Sequence, residues 1–135
     1  MSGPSPVGEP PGDPIDGTTV DRLLEAVGSD PAFLDELLDA YLVDSADQLA
    51  AARAAVGRGS AEDLVRPAHT LKSSSATLGA LALAGIAREL ELAARAGSLA
   101  DAPDRLDAAE AEWARVTTRL ADLRAARWRT SPGPS

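Results

Sequence analysis

Between Asp30 and Trp128 the apolar residues recur in alternating steps of three and four. That spacing constrains the fold more than any other property of the chain. It places side chains on one stripe of an α-helix and is incompatible with the two-residue alternation of a strand. One such stripe is Leu34, Leu38, Leu42, Ser45, Leu49, Ala52 and Val56. A second is Leu106, Ala109, Trp113, Val116, Leu120 and Leu123. Aromatic residues make up only 3% of the sequence, so these stripes must pack through aliphatic side chains. Helices suit that composition better than a sheet does.

Punctuation residues divide the pattern into five segments. A short helix is predicted from Thr18 or Thr19 to about Val27, with Asp21 in its first turn and Gly28 ending it. Asp30 then serves as N-cap and Pro31 as first helical residue of a long second helix, stopped by Gly57 and Gly59. Ser60-Ala61-Glu62-Asp63 resembles a capping box, with Asp in place of the usual Glu or Gln, and opens a third helix that ends near Leu78-Gly79. A fourth runs from about Leu81 to Ala96, with Gly97 just past its end. The fifth runs from about Pro103 to Trp128. Four long amphipathic helices with short connections predict an all-α, antiparallel up-down four-helix bundle, with the short N-terminal helix covering one end. Residues 17–128 form the expected bundle. Residues 1–16, rich in proline and glycine, read as a disordered leader, and residues 129–135 as a flexible tail.

The third helix has two unlike faces. Placed at 100° steps, Leu64, Ala68, Leu71, Ser75 and Leu78 share the core face. Ser75, among them, is expected to bond a carbonyl of the preceding turn. His69 falls on the opposite side, so an exposed imidazole is predicted. Around it lie Val65, Lys72, Ser73 and Ala76, which are small, apolar or cationic. A purely solvated face carries Glu, Lys and Arg, so this one reads as a docking surface. It extends to the neighbouring edge of the second helix around Leu37 and Tyr41. His69 is the single histidine of the chain. Imidazole is substantially neutral, and therefore nucleophilic, near neutral pH. A solvated histidine with no role is the bland alternative for any lone exposed His.

The run Ala68-His69-Thr70-Leu71-Lys72-Ser73-Ser74-Ser75, followed by Gly79-Ala80, weighs against that alternative. It resembles the phosphoacceptor motif of histidine-containing phosphotransfer (HPt) domains, A-H-x-L-K-G-S-S-x-x-x-G-A. The resemblance extends over most of residues 18–125, including Leu90-Glu91 and the Arg95-Ala96-Gly97 ending of the fourth helix. It implies that His69 is phosphorylated and that Lys72 aids the phosphate electrostatically. Ser74 is expected to add a hydroxyl donor near the phosphate's edge. The resemblance also implies partners bearing a receiver-domain aspartate, in a response regulator or hybrid kinase of a two-component phosphorelay. The chain is then a phosphocarrier rather than an enzyme. It needs no cofactor of its own, with Mg expected on the partner receiver.

Two positions depart from the family pattern. Ser73 stands where glycine is commonest. Pro67 removes a backbone donor to Asp63, so either the helix kinks or a short helix at 61–65 meets a new one.

Other functions fit less well. A helical bundle that binds a receiver domain or kinase without transferring phosphate is the competing reading, and the presence of both His69 and Lys72 argues against it. A module of a larger kinase is a close relative; the initial Met and the Pro-Gly tail favour a free-standing protein. A four-helix metal enzyme needs Glu-x-x-His pairs, which one histidine cannot supply. No Gly-x-Ser-x-Gly elbow is present for serine hydrolysis. A net charge of −8 excludes the electrostatic footprint of a nucleic-acid binder. The sequence has no cysteine, no signal peptide and no apolar run of about 20 residues. A cytoplasmic monomer, free of the membrane, is expected.

Overall fold

The structure, a computed structural model, describes residues 13–26 and 30–130. The described residues form five helices and no strand: α1 (Gly17–Ala26), α2 (Pro31–Gly57), α3 (Ala61–Leu78), α4 (Leu81–Arg95) and α5 (Ala102–Thr130). Each boundary has a local cause. The Asp16 carboxylate accepts from the Thr19 amide and hydroxyl, so α1 begins earlier than its threonines suggest, and Asp21 lies beyond its first turn. The Asp30 carboxylate accepts from Ala32 N–H ahead of Pro31. Ser60 accepts from Asp63 N–H at 3.1 Å, but the Asp63 side chain turns to Arg58, so only half of the expected capping box forms.

Helix α3 ends at Gly79, whose φ of +91° lies in the left-handed region. A Cβ there would come within 2.8 Å of Thr19 Cβ, and Asp16 N–H donates to the Gly79 carbonyl. Glycine is needed at this turn for its backbone and for the chain that crosses it. That crossing corrects the expected leader. Ile15 is only 1% exposed and belongs to the core, so packing begins upstream of residue 17. Residues 1–12 and 131–135, the remainder of the leader and most of the tail, lie outside the described residues, as does Gly28.

The long helices pack in a ring: α2 on α3, α3 on α4, α4 on α5, and α5 back on α2. Helix α1 touches α2 and α3. Two apolar clusters fill the ring. One gathers Leu34, Leu38, Leu71, Leu83, Val116 and Leu120; the other gathers Leu64, Ala68, Leu90, Ala94 and Leu106. At the edges of the expected stripes, Leu42, Val56, Trp113 and Leu123 are half-buried. Pro67 is buried inside one continuous helix, so the two-helix alternative does not form. A polar layer crosses the interior. Tyr41 OH and Ser75 Oγ share a hydrogen bond of 2.9 Å, and Trp113 Nε1–H donates to Ser45 Oγ at 2.7 Å. The partner of Ser75 is therefore a tyrosine of α2 and not a carbonyl of its own helix.

Candidate functional site

The core face of α3 is fully occupied, so the helix must turn its other face outward. His69 is on that face, with 53% of its side chain exposed, as the sequence predicts. The imidazole is not free to rotate. Its Nδ1 lies 3.0 Å from Oε2 of Glu91 on α4. In the neutral tautomer with hydrogen on Nδ1, that hydrogen is donated to the carboxylate and Nε2 keeps its lone pair. The nitrogen able to attack is thus the one facing away from Glu91.

Glu91 is the centre of this arrangement. Its side chain is 6% exposed, an unusual place for a carboxylate, and three donors hold it there. The Lys72 ammonium lies 2.6 Å from Oε1, which is fully buried and has no hydrogen bond of good geometry beyond that ion pair. Arg95, one turn along α4, donates to Oε2 from Nε at 2.9 Å and Nη2 at 2.7 Å. Lys72, first among these partners, holds the carboxyl down at about 2 against the opposing effect of burial, with Arg95 and His69 adding to it. Glu91 is therefore an anion throughout the neutral pH range.

The structure brings some of the expected residues together and separates others. Lys72 is half-buried beside His69, but its charge is directed at Glu91. Ser73 and Ala76 are exposed and Val65 is half-buried on the histidine face. Leu37 is exposed on α2. Tyr41 is not at an exposed edge: it is buried, held by Ser75, because its ring points inward between α2 and α3. It forms part of the floor of an apolar groove lined also by Leu37, Ser74 and Thr77. The Ser74 hydroxyl donates to the carbonyls of Thr70 and Leu71, and so is turned back onto its own helix.

Glu91 and Arg95 are the residues that the sequence reading left without a role. A signal was present. The buried stripe of α4 runs Leu83, Ala84, Ala87, Leu90 and Ala94, and Glu91 is the one charged residue within it. A carboxylate inside an apolar stripe needs a partner. Among the described residues no group of three or more acidic, histidine or cysteine side chains could hold a metal ion. No helix among them is long and apolar enough to cross a membrane.

Comparison with known proteins adds an independent line. The model of the Hpt domain family matches residues 36–126. The fold is similar to the crystal structure of histidine-containing phosphotransfer protein B (HptB) from Pseudomonas aeruginosa PAO1, with a TM-score of 0.76 and 34% sequence identity. That match covers 83% of this chain and 95% of the other. A search of curated protein sequences returned no match. An exposed imidazole held by a buried carboxylate, on a helical fold matched over most of its length, leads to one family. The chain belongs to the Hpt domain family, the histidine phosphotransfer domains of two-component phosphorelays.

Proposed function

We propose that His69 Nε2 is the phosphoacceptor, and that the chain carries a phosphoryl group between receiver-domain aspartates. The observation that carries this reading is the orientation of an exposed imidazole by Glu91 through Nδ1. The Nε2 lone pair attacks the phosphorus of an aspartyl phosphate. The P–Nε2 bond forms, the acyl P–O bond breaks, and the carboxylate leaves with its electron pair. No proton has to leave Nε2. The ring gains positive charge as the bond forms, and the Glu91 carboxylate at Nδ1–H stabilises that charge where it develops. Lys72 and Arg95 act through Glu91, keeping it ionised and fixed in place. The reverse step uses the same contacts, so transfer runs in either direction.

The chain supplies a positioned nucleophile and its partner supplies the remaining chemistry, including the Mg site of the receiver. It acts as a phosphocarrier and not as an enzyme in its own right. The docking face comprises Val65, Ser73, Ala76 and Leu37, with Tyr41 supporting the groove beside them from within. The four long helices run antiparallel, up and down, as the short connections at 58–60, 79–80 and 96–101 favour. The carrier works as a monomer in the cytoplasm.

The test is to mix the protein with a phosphorylated receiver domain and follow the label. It is expected on His69, in an acid-labile and base-stable form typical of a phosphoramidate. Acid-stable label, or label persisting in His69→Gln, would point to another acceptor.

A further inference from the structure

The two cations beside Glu91 are already committed, which leaves open what holds the phosphoryl group itself. We propose that Arg66 and Ser73 form a second flank of the site and bind the phosphoryl oxygens once the group is on Nε2. This rests on His69 being the acceptor. Around the axis of α3, Lys72 stands about 60° to one side of His69, towards α4 and Glu91. Arg66, one turn before His69, and Ser73, one turn after, stand about 60° and 40° to the other side. Since Nδ1 is held by Glu91, the opposite edge of the ring, bearing Nε2, is turned away from that carboxylate.

The hydroxyls along this helix are not equivalent. Ser74 donates to the Thr70 and Leu71 carbonyls, Thr77 to the Ser73 carbonyl, and Ser75 is paired with Tyr41. The Ser73 side chain is exposed, and no hydrogen bond among the described residues engages its hydroxyl. Helical side chains lean towards the N-terminus, so Ser73 leans back over the turn that bears His69, and His69 leans towards Arg66. Arg66 itself leans towards Glu62 and lines a recess with Ala51 and Ala54, so its long side chain must swing back by one turn to meet the phosphoryl group. Arg66 is likewise exposed, with no ion pair among the described residues. Glu62, one turn before it, makes none with it, and Asp63 is paired with Arg58 at 3.1 Å. A guanidinium and a hydroxyl, both uncommitted, suit a dianionic group with three acceptor oxygens. The common family residue at position 73 is glycine, which supplies no such donor.

The test loads the full-length protein chemically, so that no receiver is involved. With phosphoramidate as donor, its P–N bond breaks, the P–Nε2 bond forms and ammonia leaves. Phosphorus NMR then follows the last ionisation of the phosphoryl group with pH. Donors that favour the dianion lower its midpoint. Arg66→Gln is expected to raise the midpoint by about half a unit at low salt, an effect that largely vanishes near 1 M salt. Ser73→Ala and Ser73→Gly should each raise it by a few tenths at any salt, and Ser73→Thr should restore it. Both positions are exposed, so the melting temperature should not move in Arg66→Gln and Ser73→Ala, while Ser73→Gly should lower it slightly through the poor helix propensity of glycine. Unchanged midpoints in Arg66→Gln and Ser73→Ala would overturn the second flank while leaving His69 as carrier. Shifted midpoints, with no transfer from any phosphorylated receiver, would keep the flank and overturn the carrier reading. A His69 that phosphoramidate does not label would overturn both.

Discussion

Helix α3 places a buried polar cluster on each of two faces, and the two clusters differ in kind. On the inner face Ser75 meets Tyr41, while Ser45 and Trp113 pair close by. All four side chains are neutral, and burial pushes the Tyr41 phenol above its ordinary range, so it stays protonated. On the outer face Glu91 is surrounded by Lys72, Arg95 and His69. That cluster is charged, and two of its members, His69 and Arg95, are open to solvent. Neutral groups with their hydrogen bonds made fix the packing of helices without responding to what happens outside. A charged cluster with an exposed nucleophile can pass the effect of its buried centre to an incoming group. Buried polar residues therefore serve position in one place and reactivity in the other.

If this division is right, substitutions should separate transfer from stability. The largest effect belongs to His69→Gln, which should abolish phosphorylation while leaving the helical circular dichroism signal intact. Loss of the helical signal would mean that the imidazole has a structural role. Acid should act next. The folded pKa of Glu91, about 2, lies below its ordinary 4.5, so the unfolded chain binds the proton first as pH falls. The stability it contributes is fully present above about pH 4.5 and is lost as pH falls through 2, amounting to about 3 kcal/mol at most. Denaturant titrations at a series of pH values should show that loss in the wild type and a much flatter dependence in Glu91→Gln.

Glu91→Gln should also slow phosphoryl transfer about tenfold at neutral pH, because an amide oxygen replaces the charge facing Nδ1–H. Ser75→Ala should do the opposite. It leaves the buried Tyr41 hydroxyl unpaired and should cost about 1–2 kcal/mol in a melting or denaturant experiment, with transfer unchanged. Slowed transfer in Ser75→Ala at full occupancy of the folded state would break the contrast between the faces. The smallest effect is expected from Ala76→Glu, a few-fold loss of transfer rate from phosphorylated receivers through bulk and like charge, at unchanged stability. Transfer unaffected by that change would move the docking face elsewhere.

Properties that depend on one helix were legible in the sequence; those that depend on two were not. The stripe from Leu34 to Ala52, the Asp30 cap, the turn at Gly79 and the exposure of His69 follow from spacing and local chemistry. Ser74 and Ser75 show where such reasoning stops. Each is a serine on the same helix, yet Ser74 bonds its own backbone and Ser75 bonds a tyrosine on α2. Only the neighbouring helix decides between those outcomes. Tyr41 was misplaced for the same reason, since an amphipathic ring at a stripe's edge can turn either way. Ile15 was missed because a single apolar residue among prolines has no periodicity to declare it. Glu91 was visible as a charge within an apolar stripe, but its partners lie partly on α3, and their approach could not be read from spacing.

The bond from Nδ1 to Glu91 also has a stereochemical consequence. An imidazole offers two nitrogens, and chemical phosphorylation of a free histidine gives a mixture of two positional isomers. Here a buried anion occupies one of them, so a phosphate placed there would have to displace the contact and sit against like charge. The product should be a single isomer, substituted at the ring position farther from the backbone. A donor must then approach along that one direction, so the geometry of the incoming complex is restricted before any surface contact is made.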